Sequence, residues 1–199
     1  MESTPQRSFL QEVRDSGAWI LGFVGVLWGI ELINAAIGNQ LLLFGILPRT
    51  VVGLRGIVLA PFLHGSFAHL LANTVPLLVL GSLVLLSGRG AFLRATLIIA
   101  IVGGGLVWVF GRSALHVGAS GLIFGYLGYL VAKAWYERHP FSILVALVAA
   151  VLYGGVLLGV LPLTPGVSWE GHLFGFVAGL LAGWDGAVRR RKVEPTLDV

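Results

Sequence analysis

The chain contains no cysteine, which excludes disulfides, a thiol nucleophile and every zinc site that needs sulfur ligands. Charge is nearly as scarce. Asp, Glu, Lys and Arg make up 11% of the 199 residues, against about 25% in a soluble domain. With 57% hydrophobic residues and a mean hydropathy of +0.93, water is not the main solvent of this chain. Its length accommodates about six spans of about 20 residues with short loops, and leaves no room for a second domain. There is no low-complexity tract and no internal repeat beyond shared helical character. The net charge of +4 and pI near 10 invite a nucleic-acid partner. The basic residues, however, lie in short connections and in the run Arg189, Arg190, Arg191, Lys192 instead of on a soluble aromatic-bearing surface, so no nucleic acid is expected.

What the sequence does have is apolar length. Runs at about 17–38, 68–87, 91–111, 117–136, 141–161 and 169–188 each reach spanning length, predicting an all-α, polytopic six-helix membrane bundle over 17–188. Residues 1–16 mix both charge signs and lack the form of a cleaved signal, so they read as a cytoplasmic tail. Residues 189–199 form a basic cytoplasmic tail. The segment 39–67 carries two apolar patches too short to span and broken by Pro48, Arg49, Arg55 and Pro61, and is predicted to be a long loop. With the N-terminus inside, the inner segments carry Arg7, Arg14, Arg89, Arg94, Lys133, Arg138, Arg189, Arg190, Arg191 and Lys192, and the outer loops only Arg49, Arg55 and Arg112. That bias places both termini in the cytoplasm, in agreement with an even number of spans.

Polar groups inside a span are costly, so each is a candidate site residue. Here they fall at three helix starts: His64, His69 and Asn73 at the second, Ser120 at the fourth, Glu170 and His172 at the sixth. Spans two, four and six all run inward from the outer face, so their first turns share one depth. His69 and Asn73, four residues apart, share a helical face. A serine hydroxyl is a weak nucleophile until a neutral imidazole takes its proton, and Ser120 with His172 supplies that pair. Gly121 and Gly171 beside them would let the fourth and sixth helices approach, and Gly171, Gly175, Gly179 and Gly183 make a small-residue ridge along the sixth.

The pattern His69-x-x-x-Asn73, Gly118-Ala119-Ser120-Gly121 and Gly171-His172 with Gly175 and Gly179 resembles the rhomboid protease family, over roughly residues 17–188. The resemblance implies an intramembrane serine endopeptidase of the cell membrane that cleaves membrane-protein substrates in or near their transmembrane segments. It implies Ser120 as nucleophile and His172 as general base. It further implies oxyanion stabilisation by His69, Asn73 and the Ser120 N–H, a structural role for His64, no cofactor, and an active site toward the outer face. The chain departs from the family in its first loop, which is short for the family and, where the family often carries a Trp-Arg pair, has no tryptophan in 39–67. The alternative from another class is a non-enzymatic rhomboid-like protein that binds transmembrane helices. Such relatives typically lack the serine or the histidine, and both are present here. A three-histidine zinc site from His64, His69 and His172 would leave Ser120 and its glycines unexplained, so no metal is expected. His116 reads as a loop residue and His139 as solvated. Glu170, two residues before His172 on a helix, points nearly to the opposite side and is not its orienter. Glu31, near the end of the first span, has no role assigned by pattern.

Overall fold

A computed structural model describes residues 9–153, 161 and 166–193. The described chain is all-α, and its one β feature is an isolated antiparallel bridge between Ile46 and His116. The helices are α1 Phe9–Ala36, α2 Gly56–Leu59, α3 Phe67–Leu85, α4 Arg89–Ile98, α5 Gly104–Phe110, α6 Ser120–Glu137, α7 Pro140–Tyr153 and α8 Trp169–Val193. A π-helical turn at Ile99–Gly103 joins α4 to α5, so the pair forms one continuous rod. Gly17–Ala36, Phe67–Leu85 and Arg89–Phe110 are long and apolar enough to cross a membrane by themselves. Helix α6, although 18 residues long, carries Lys133 and Glu137, and α8 carries acidic and basic residues at its ends. The described part of α7 is 14 residues, and the rest of the fifth predicted run lies outside the described residues.

Helix α1 starts at Phe9, within the segment whose composition suggested a tail. The predicted loop 39–67 is built from short 3₁₀ turns, Gln40–Phe44, Val52–Arg55 and Ala60–Phe62, around the single turn of α2. Tryptophan is absent from it, and other groups hold it. Arg49 donates to the carbonyls of Gly111 at 2.7 Å and Val109 at 3.2 Å and to Ser113 Oγ at 3.1 Å. Trp108, from α5, donates its indole N–H to the Thr50 carbonyl at 2.8 Å. Arg55 lies over the Phe44 ring, 4.2 Å from its centroid.

Lipid tails are as apolar as leucine, so close helix contact must come from packing and polar groups. Helix α6 is the centre of the bundle, with Leu122 to Leu130 buried without a break. Its seam with α8 is backbone on backbone. A Cβ at Gly175 would overlap the Gly121 carbonyl, and one at Gly179 would overlap that of Gly125. Gly121 faces the Gly171 carbonyl at the same seam, while a Cβ on Gly171 would meet Ser168 Oγ at 2.9 Å instead of α6. Helix α1 docks on α3 through Trp28, which donates to Thr74 Oγ1 at 3.1 Å and stacks on Phe67.

Candidate active site

The seam of α6 and α8 fixes where their first turns meet. Ser120 is the first residue of α6, and its N–H, at a helix start, has no intrahelical acceptor. The segment entering it is pinned from two sides: Gly118 N–H donates to the Ala60 carbonyl at 2.9 Å, and Ala119 N–H to His64 Nε2 at 3.3 Å. His64 is fully buried. Burial, and then the neighbouring His69, push its pKa down to about 4, while the Phe62 carbonyl pulls the other way. It is therefore a neutral acceptor bracing the serine's approach.

His69 lies in the first turn of α3, capped by Ser66, whose hydroxyl accepts the His69 N–H at 3.1 Å. The Gly65 N–H reaches His69 Nδ1 at 3.5 Å, an arrangement that favours the proton on Nε2. Gly118 has φ +117°, a backbone region that L side chains rarely adopt, and a Cβ there would sit 2.8 Å from His69 Nε2 and 3.8 Å from Ser120 Oγ. Glycine thus opens the space in which the imidazole and the hydroxyl converge. Asn73, one turn below, is buried and donates one amide hydrogen to the His69 carbonyl at 2.7 Å. His172 is stacked flat on Phe124, with ring centroids 4.1 Å apart and planes 8° from parallel, and Phe124 is one turn after Ser120. Ser120, His172, His69 and Asn73 all line one open cleft of about 620 Å³. Ser120 also borders a narrow, mainly apolar pocket of about 50 Å³ walled by Ile57, Ala60, Gly103, Val107 and Gly121.

Pattern reading did not find the clamp that holds the start of α8. Ser168 caps that helix by accepting the Gly171 N–H at 3.2 Å, and its hydroxyl is 2.6 Å from His116 Nδ1. His116 Nε2 in turn lies 3.1 Å from the Arg112 carbonyl. Glu170 is buried, accepts the Arg112 N–H at 3.2 Å and lies 3.7 Å from its guanidinium. The serine-to-imidazole contact joins residues 52 positions apart, so only the Ser-x-x-Gly cap was available as a local signal. Glu31 is buried as well; its carboxylate accepts from Asn34 at 3.3 Å, and Asn34 Oδ1 takes the Leu41 N–H at 3.0 Å. That links the end of α1 to the first loop.

The Rhomboid domain family model matches residues 52–188, more than half of the chain. The chain belongs to the rhomboid family. An uncharacterized protein of Mycobacterium tuberculosis is 44% identical over 187 residues, covering 89% of this chain and 78% of that protein. One of Mycobacterium leprae is 40% identical over 187 residues, covering 89% and 74%. RHOMBOID-like protein 4 of Arabidopsis thaliana is 37% identical over 127 residues, 62% of this rhomboid and 32% of the plant protein. Family and apolar helices together make this rhomboid a multi-pass membrane protein.

Proposed function

We propose that this rhomboid is an intramembrane serine endopeptidase that cleaves membrane proteins in or near their transmembrane segments. The observation that carries the reading is the convergence of Ser120, His172, His69 and Asn73, from three helices, on one cleft. In this mechanism the Ser120 hydroxyl attacks the scissile carbonyl while His172 takes its proton, then returns it to the departing amine. Water completes the cycle by hydrolysing the acyl-enzyme. The oxyanion is met by donors fixed beforehand: the Ser120 N–H, His69 Nε2–H and the second amide hydrogen of Asn73. The 50 Å³ pocket beside Ser120 suits a small side chain next to the scissile bond. A helical carbonyl is already hydrogen-bonded, so the substrate must unwind locally, and helix-weakening residues near the cut are expected. Both termini face the cytoplasm and the cleft the outer side.

The test is cleavage of a panel of single-span proteins by the purified rhomboid in lipid vesicles. Ser120→Ala should cut turnover by at least ~10³-fold while leaving insertion and thermal stability intact. Persistent cleavage by a folded Ser120→Ala variant would refute the serine mechanism. If the wild type cleaves nothing but binds single-span helices, the non-enzymatic reading replaces this one.

A further inference from the structure

Opposite the cleft, where α4 begins and α6 and α8 end, the helices part around a recess of about 260 Å³. Its wall carries three cations, Arg94, Lys133 and Arg189, with Glu137, the hydroxyl of Ser87 and the bare backbone of Gly186. Local carboxylates answer two of the cations. Arg189 is held by Asp185 at 2.8 and 3.1 Å, and Lys133 lies 3.9 Å from Glu137 while donating to Ser87 Oγ at 2.8 Å. The same Glu137 oxygen also accepts a short hydrogen bond from Ser142. Arg94 has no carboxylate partner among the described residues, so the recess carries an excess of positive charge. Its wall is open at Gly186, where a Cβ would meet nothing within 4 Å.

We infer that this recess binds the phosphate of an anionic glycerophospholipid. Basic pockets between spanning helices at the bilayer surface attract acidic headgroups, each Lys or Arg contributing through short-range Coulomb attraction. A lipid fits better than a free phosphate because of what lies below the charge. Leu97 and Ile101, three and seven residues after Arg94, continue its helical face toward the bilayer centre and are 59% and 55% exposed. A diacyl lipid with its phosphate at Arg94 would lay its tails along this aliphatic track, whereas inorganic phosphate gains nothing from it.

The experiment titrates the detergent-purified protein with short-chain phosphatidylglycerol, phosphatidylcholine or inorganic phosphate, reading Tm and bound lipid by native mass spectrometry. Phosphatidylglycerol should bind saturably and raise Tm, and the other two should not. Arg94→Gln should weaken phosphatidylglycerol about fivefold, the effect of one basic residue at a headgroup, and Gly186→Leu, which puts a bulky side chain on the recess wall, should abolish saturable binding. Arg138→Gln removes the same charge at the same end but outside the recess, and should bind as the wild type does. Equal binding of phosphatidylcholine, or of inorganic phosphate, overturns the lipid assignment. An Arg94→Gln variant binding no more weakly than Arg138→Gln overturns the site, and this arm stands even if Gly186→Leu fails to fold.

Discussion

Replacing Gly175 by alanine adds one methyl at the point where α8 lies against α6. That methyl would overlap the Gly121 carbonyl oxygen and stand 3.0 Å from its carbon and 3.1 Å from its Cα. All three are backbone atoms, so no rotamer change relieves the clash. Restoring even a close carbon-to-oxygen contact of about 3.3 Å requires the helices to part by about 1 Å. Overpacking of this kind costs about 1–3 kcal/mol, visible as a lower Tm in detergent. The larger effect falls on turnover. Gly121 follows Ser120, and Gly175 is one turn from His172, so the separation opens directly between the proposed nucleophile and base. A misplacement of ~1 Å costs about 10²-fold in rate, read as the initial rate of cleavage in vesicles. Gly25→Ala on α1, where nothing lies within 4 Å, is the control and should retain full turnover. A Gly175→Ala variant with wild-type Tm and turnover would refute the claim that the glycine seam sets the Ser120–His172 geometry.

Alanine at His172 should abolish cleavage, and the Ser120→Ala, His172→Ala double variant should be little worse than either single one, because nucleophile and base act as a unit. Asn73→Ala and His69→Ala should each lower kcat by about 10²–10³ with activity still measurable, since the Ser120 N–H remains; wild-type turnover in a stably folded double variant removes both from the mechanism. His64 has a folded pKa near 4 against an unfolded value of 6.5, so its contribution to stability is fully present above pH 6.5 and is lost as pH falls toward 4. The Tm of the wild type should therefore fall more steeply over that range than the Tm of His64→Gln, which keeps an acceptor for the Ala119 N–H; parallel curves would refute a neutral, buried His64. Reporter fusions at both termini should report the cytoplasm, and an external C-terminus would dismantle the common-depth argument for the three motifs.

The elements most legible in sequence were those with a composition of their own. Phe67–Leu85 and Arg89–Phe110 lie within two residues of the runs at 68–87 and 91–111, because long apolar stretches admit few alternatives. The glycine ridge on α8 was equally plain. The π turn at Ile99–Gly103 was not, since nothing in the run distinguishes it; it lies where Gly103 passes Gly175 and the Phe174 carbonyl, each 3.3 Å from a Cβ built on Gly103. The first loop was illegible for a different reason. Arg49 has φ +58°, uncommon for a side-chain-bearing residue, and its side-chain hydrogen-bond partners lie 60 or more positions away.

Histidine illustrates how residue type and position divide the work. His69 and His172 line the cleft, on helices whose first turns are brought together by the seam and by Gly118. His64 and His116 act on backbone instead. The first accepts the N–H of Ala119 immediately before Ser120, and the second joins the Arg112 carbonyl to the Ser168 cap of the helix that carries His172. A buried hydrogen bond left half-made costs about 1–3 kcal/mol, so losing either brace would free one of the two segments that must meet. The placement of the proposed nucleophile and base thus depends on two imidazoles that need never touch a substrate. Sequence spacing separates the two kinds poorly, because His64 and His69 are five residues apart and their rings lie edge to face with centroids 5.1 Å apart. What separates them is the acceptor role already filled at His64 Nε2 and the open cleft beside His69.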